Sequence, residues 1–275
     1  KIFQPDRPAH GLPFGGGTAH RPNGQFAIAL WDKRSKTCLL IRDRVGICPL
    51  FYTQEKGQLI FGSEVKALKP ALANGLAISH KALDQIFTFW APLSPQTIFE
   101  NVYEVQPGTM LVINEQGIEH KRYWEWSYSE PLRQESEESL IEELHDLLID
   151  STKIRLRSDV PVGAYLSGGL DSSSIVALIH RYGNIPLRTF SLNFDQQNFD
   201  EQQFQSDLTR HLKTEHSQIL VKPDDIAHAF ESTVFHTEAP ILRAAPVPMG
   251  ILSGLVRENG FKVVLTGEGA DEVLG

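Results

Sequence analysis

The sequence predicts two folds joined end to end: an α+β first part built on antiparallel strands, then an α/β second part built on a parallel sheet. Three observations predict this. Short apolar runs broken by turn residues fill the stretch from Gln25 to Tyr123. From Val162 onward, apolar runs without period-two alternation are each followed by a helix-like pattern. Between them lies a polar, acidic link, Glu130 to Glu138. Alternation marks strands with one wet face, whereas its absence marks strands covered on both, as in sheets whose crossovers are helices. At 275 residues the chain is long enough for two such cores.

In the first part, Gln25 to Trp31, Thr37 to Arg42, Cys48 to Tyr52 and Leu59 to Gly62 have strand length and composition, and the turns between them read as a continuous antiparallel meander. A short helix over Glu64 to Leu68 stops before Pro70, and a longer one covers His80 to Trp90. Strands near Val102, over Met110 to Ile113 and over Ile118 to Tyr123 close this part. Trp124 and Trp126 alternate as strand residues do, and the expectation is that they pack between the two parts. Leu140, Leu144, Leu147, Leu148 and Ile154 recur at helical spacing and open the second part. Strands are expected at Val162 to Leu166, Thr189 to Phe194, Gln218 to Val221 and Phe261 to Thr266. Helices are expected at Ser172 to Tyr182, Gln202 to Leu212, Ala227 to His236 and Met249 to Glu258. The expected domains are residues 23–128 and 135–275. Nine of the first 24 residues are Gly or Pro, so residues 1–22 are expected to be a loose or foreign lead-in.

Composition narrows the function classes. Lys and Arg number 26 against 34 Asp and Glu, a net charge of −8, which argues against nucleic acid or an anionic membrane as a partner. No apolar run approaches the roughly 18–20 residues of a membrane span. Two cysteines, Cys38 and Cys48, make no disulfide framework, and with no signal-peptide pattern at the start a cytoplasmic location is expected. Both cysteines read as small core residues. The ten histidines show no metal-binding spacing.

The chemistry sits at Val160 to Ser174. A buried strand runs into Ser167-Gly168-Gly169-Leu170-Asp171-Ser172-Ser173, where two glycines admit close backbone approach and a helix begins with free N–H groups. Hydroxyls of Ser167, Ser172 and Ser173 add donors, and together these form a cradle for phosphate. No lysine follows the glycines, so this is not the GxxxxGK phosphate loop. Asp171 would repel phosphate unless a divalent cation lay between them, which argues for Mg²⁺ on a pyrophosphate. A serine-rich helix cap is the plain alternative. A second strand, Lys262 to Leu265, ends in Thr266-Gly267-Glu268-Gly269-Ala270-Asp271-Glu272. Acids and glycines at the carboxyl end of a parallel strand lie where open α/β sheets bind ligands, and Asp271 is a candidate second Mg²⁺ ligand opposite Asp171.

SGGLDSS after VPVGAYL, then TFSLNF, the Phe199-Asp200-Glu201 step and KVVLTGEGADE in order, resembles the synthetase domain of glutamine-hydrolysing asparagine synthetases. NGQFAIALWD, RDRVGICPLFY and FGSEVKAL resemble their glutaminase domain, and the likeness runs from Asn23 to Gly275. The resemblance implies part of an N-terminal-nucleophile glutaminase fold followed by an adenine nucleotide alpha hydrolase-like, PP-loop domain. It implies a ligase that activates aspartate with ATP as an aspartyl-adenylate and adds ammonia from glutamine, releasing AMP, pyrophosphate, asparagine and glutamate. It places Leu166, Ser167, Gly168, Gly169, Asp171, Ser172 and Ser173 on the nucleotide, Leu192 on adenine, and Thr266 and Gly267 as backbone contacts. Glu268 becomes the catalytic acid, Arg243 a substrate-facing arginine with a buried ion pair as its alternative, and Asp171 with Asp271 the metal ligands. The parent is expected to be a homodimer.

The family's amino-terminal cysteine nucleophile and its glutamine-holding positions are not matched, and the chain is expected to be a piece truncated at both ends and inactive by itself. Two other readings stay open. One is a related acyl-adenylating amidotransferase acting on another carboxylic acid; the other is a non-catalytic nucleotide-binding module.

Overall fold

The computed structural model describes residues 24–127, 133–195 and 201–274. The lead-in, part of the acidic link, and Phe199 with Asp200 of the predicted step lie outside the described residues. The chain divides into two units. One comprises residues 1–131 with 238–242, the other 132–237 with 243–275.

The first unit holds two antiparallel sheets. Strands β1 (Ala27–Asp32), β2 (Thr37–Arg42), β6 (Thr109–Asn114) and β7 (Gly117–Arg122) form one, in that order. Strands β3 (Phe51–Glu55), β4 (Gln58–Gly62) and β5 (Tyr103–Glu104) form the other, with β3 central. β2 is buried on both faces: Leu39 and Ile41 pack with Met110 and Val112, while Leu40 packs with Leu50, Tyr52 and Leu111. The period of two therefore sends alternate side chains into two cores. Helix α1 (His80–Phe89) starts on Ser79, whose hydroxyl accepts the Ala82 N–H at 3.3 Å, and ends at Trp90 in the left-handed region.

The continuous meander is not what forms. β2 pairs with β6, not β3. The cause is the turn after β2, which Arg42 and Asp43 hold in a shape incompatible with a hairpin. The Arg42 guanidinium donates to the carbonyls of Gly46, Cys48 and Val105 and to Glu104, at 2.9–3.0 Å. The Asp43 carboxylate accepts from the N–H groups of Phe26, Ile47 and Cys48 at 2.9–3.2 Å. These bonds occupy the backbone of residues 46–48, so Cys48 lies outside β3. Trp124 and Trp126 are likewise not in a strand: they meet edge to face at 4.9 Å, and Trp124 packs against the Leu39–Ile41 core of the first sheet.

The second unit is a parallel sheet with order β10-β9-β8-β11, from β8 (Val162–Tyr165), β9 (Arg188–Phe194), β10 (Glu215–Val221) and β11 (Val263–Leu265). Its helices are α2 (Glu137–Arg155), α3 (Leu170–Tyr182), α4 (Gln202–Leu212), α5 (Pro223–Thr237), α6 (Pro246–Glu258) and α7 (Ala270–Leu274). One face buries Ala164, Leu166, Val176 and Ile179 with Leu208 and Leu212 of α4. The other buries Phe190 with Leu252 and Val256 of α6. Both faces are covered, as the lack of alternation predicts. From β8 the chain steps outward through β9 to β10, then returns to add β11 on the opposite side of β8. The direction of winding reverses between β8 and β11, and the crevice at that reversal is where such sheets take ligands.

Candidate functional site

A cavity of about 500 Å³ opens at the carboxyl ends of β8, β9 and β11, entirely within the second unit. Its apolar wall includes Tyr165, Leu166, Phe190, Leu192, Met249 and Leu252. Its polar wall comprises Ser167, Asp171, Ser172 and Glu201 from the first motif's side, and Thr266 to Glu272 from the second. Nine predicted site residues thus line one cavity: Leu166, Ser167, Asp171, Ser172, Leu192, Thr266, Gly267, Glu268 and Asp271. Gly168, Gly169 and Ser173 flank the lining residues in the loop and in the first turn of α3. Arg243 does not line the cavity; it is exposed, which removes the buried ion pair as its alternative.

The loop is held in a specific form by its own side chains. Gly168 has φ +93°, a conformation that excludes other residues without strain, and a Cβ there would lie 3.1 Å from Cβ of Phe204 on α4. The Gly169 N–H donates to Ser167 Oγ at 3.2 Å, and the Ser167 and Ser172 hydroxyls meet at 2.9 Å. Ser172 Oγ accepts from the Ser167 N–H at 3.2 Å and donates to the Gly169 carbonyl at 3.3 Å. The two hydroxyls therefore close the loop on itself. With both engaged, the donors facing an anion are the backbone N–H groups at the start of α3, where Gly169 is the cap and makes no side-chain cap bond.

The second motif is seated directly on that helix start. A Cβ on Gly267 would lie 2.8 Å from both Asp171 Cβ and the Ser172 N, and 2.9 Å from the Asp171 carbonyl carbon. Only a glycine lets the turn after β11 come this close. Beyond it, α7 begins with Asp271 and Glu272 in its first turn. This helix is absent from the sequence reading, being too short to show a helical period. Glu268 is exposed on the turn, its N–H 3.4 Å from Thr266 Oγ1.

For a metal, the donor set decides. Among the described residues no group of three or more His, Cys, Asp or Glu side chains could hold an ion. Asp171 and Asp271 are two hard carboxylates lining the same cavity. Such a pair suits Mg²⁺ completed by phosphate oxygens and water, not an all-protein cage.

One structural contributor escaped the sequence reading. Gln205 of α4 is 1% exposed, and its Nε2 donates to the carbonyl of Ser167 at 3.2 Å and of Leu192 at 3.5 Å. A signal was present: Gln205, Leu208 and Leu212 fall on one helical stripe, so a polar residue stands where the core face calls for an apolar one.

Two family models match this chain. The model described as "Asparagine synthase" matches residues 143–275, and the "Glutamine amidotransferase domain" model matches residues 12–124. Residues 143–275 belong to the asparagine synthase family and residues 12–124 to the glutamine amidotransferase domain family. The chain is 34% identical over 258 residues to the protein named asparagine synthetase [glutamine-hydrolyzing] 1 of Bacillus subtilis (strain 168), covering 94% of this chain and 40% of that protein. It is 33% identical to Amidase chyE of Penicillium rubens, over 90% of this chain and 39% of the relative. It is 31% identical to the putative asparagine synthetase [glutamine-hydrolyzing] 2 of Methanocaldococcus jannaschii, over 92% and 49%. The chain spans about two fifths to one half of the length of these relatives. Among the described residues, no helix is long and apolar enough to cross a membrane.

Proposed function

We propose that the second unit binds ATP for an amide-forming ligase, in which the carboxylate of aspartate attacks the α-phosphorus and releases pyrophosphate, and ammonia, drawn from glutamine, then displaces AMP from the aspartyl-adenylate. The observation that carries this is the seating of Gly267 against Asp171 and Ser172, because it joins in one cavity two motifs far apart in the sequence. Backbone N–H groups of α3 take the β- and γ-phosphates, and the apolar wall with Leu166 and Leu192 takes the base. Asp171 and Asp271 would hold Mg²⁺, which supplies charge neutralisation of the departing pyrophosphate. Thr266 and Gly267 present backbone to the nucleotide. Glu268, exposed at the mouth of the same turn, orients the incoming ammonia and accepts the proton that its nitrogen sheds once the C–N bond forms. Arg243 precedes α6 and is the residue we assign to the acid substrate.

The test is titration calorimetry of ATP with Mg²⁺ into the wild-type chain and Asp171→Ala. Binding weakened in the variant supports the assignment; equal affinity sinks it. Product analysis of the full-length parent addresses the chemistry: α-labelled ATP supplied with aspartate and ammonia should give AMP, and ADP would overturn the adenylate step. A second reading keeps the activation and changes the acid. It is favoured by the near-equal identity to a protein named an amidase, and competition among carboxylic acids for AMP formation separates the two.

A further inference from the structure

Where β8 and β9 part company, the ladder between them has to end, and how it ends sets the mouth of the cavity. The Leu166 N–H donates to the Phe190 carbonyl at 2.9 Å, the last rung. Strand alternation turns the carbonyl of Leu192, two residues on, to the same side, but the chain from β8 has by then veered into Ser167 and Gly168. The Gln205 carboxamide occupies that fork. Its Nε2 serves one carbonyl on each branch, Ser167 and Leu192, while its Oε1 is buried and has no partner among the described residues.

We propose that Gln205 is a positioning residue for the nucleotide, a wedge that fixes the gap between the phosphate loop and the end of β9. The peptide from Ser167 to Gly168 is trans, so its C=O and N–H point in opposite directions. Drawing the Ser167 carbonyl toward α4 turns the Gly168 N–H away from α4. The same side chain holds Leu192, which lines the cavity. One amide group thereby ties the phosphate end of the site to its apolar end. The unpartnered Oε1 supports this role. A buried acceptor without a donor costs stability, so a side chain chosen only for the core would be apolar here. The carboxamide is explained by what its N–H groups hold.

The nucleotide as ligand rests on the function proposed above; the wedge does not, and the two are tested separately. Gln205→Met keeps the length and approximate volume and removes both donors and the orphan acceptor. In the ligand-free chain, exchange of the Ser167 and Gly169 amides, which close the loop, should accelerate about five- to tenfold, while amides of β10 exchange as in the wild type. The denaturation midpoint should stay near that of the wild type. In calorimetry, ATP with Mg²⁺ should bind about five- to tenfold more weakly to Gln205→Met. Gln205→Glu tests the donor directly: its carboxyl can donate only when protonated, so its exchange rates relative to wild type should recover as the pH is lowered. Unchanged exchange at Ser167 and Gly169, or acceleration spread evenly over β8 to β10, overturns the wedge. Local acceleration in a chain whose wild type fails to bind ATP upholds the wedge and overturns the nucleotide reading instead.

Discussion

Adding one methyl at Gly267 should damage the site without removing any charge, and the structure gives the size of the effect. Gly267→Ala places a Cβ 2.8 Å from the Asp171 Cβ and the Ser172 N and 2.9 Å from the Asp171 carbonyl carbon, where ordinary contacts begin at 3.4 Å. The methyl needs roughly 0.6 Å more room, and two of the three atoms it meets are backbone of a helix start that cannot swing aside. Overpacking of this kind costs about 1–3 kcal/mol. The reduced entropy of the unfolded chain offsets at most about 0.4–1 kcal/mol of that. The turn from Thr266 to Asp271 should therefore move off α3, widening the gap between the two polar walls of the cavity. Denaturant unfolding should show a net loss of about 1–2 kcal/mol, and ATP with Mg²⁺ should bind about tenfold more weakly. Gly254→Ala is the control: it lies in α6 with nothing within 4 Å of the added Cβ, so it should gain about 0.4–1 kcal/mol. If Gly267→Ala matches the wild type in both stability and binding while Gly254→Ala stabilises, the turn is not seated as described.

Burial pushes the pKa of His216 below its ordinary 6.5, with the hydrogen bond to Gln218 working against it. The folded state therefore holds the proton less tightly than the unfolded one, so the full contribution is present above about pH 6.5 and is lost as the pH falls through the lowered value. Urea midpoints at pH 7.5 and 5.5 should differ by more in the wild type than in His216→Leu; equal differences would refute it. Burial also raises the thiol pKa of both Cys38 and Cys48, reinforced at Cys48 by Asp43. Both should react with a maleimide at pH 7 more slowly than a free cysteine does, and any glutamine hydrolysis by this chain should survive Cys38→Ser and Cys48→Ser; its loss in either would make that thiol a nucleophile.

Some of this architecture was readable from local pattern and some was not. β2 and α4 occur at the predicted residues because each carries a full pattern within itself: six strand-compatible residues in one, a helical stripe in the other. The handoff from β2 to β3 was not readable, because a meander and a switch of sheets share the same strand pattern. What decides between them is the Arg42 and Asp43 network, whose partner Glu104 lies 62 residues away. The cavity's two walls were legible as motifs, since glycines and acids at strand ends have few other uses. Their mutual contact was not, because Gly267 meets backbone and leaves no complementary side chain to notice. Gln205 was legible only as a breach of the apolar stripe, and its partners are carbonyls, which every residue has.

On the function proposed above, the same reliance on backbone would let a chain with a net charge of −8 offer a site to a polyphosphate. Global charge opposes such a ligand only weakly, since fields beyond about 8–10 Å are screened at physiological salt. Within that range the relevant groups are the N–H dipoles at the start of α3, fixed by the Ser167 and Ser172 hydroxyls, and the cavity's carboxylates, Asp171, Glu201, Glu268, Asp271 and Glu272, which repel phosphate unless an ion joins them. Removing Asp171 therefore has opposite consequences with and without Mg²⁺: it deletes a repulsion in the absence of the ion and a ligand in its presence. A site built on lysine would bind the anion either way. Built on amides and aspartates, the proposed site would make phosphate affinity conditional on the divalent ion.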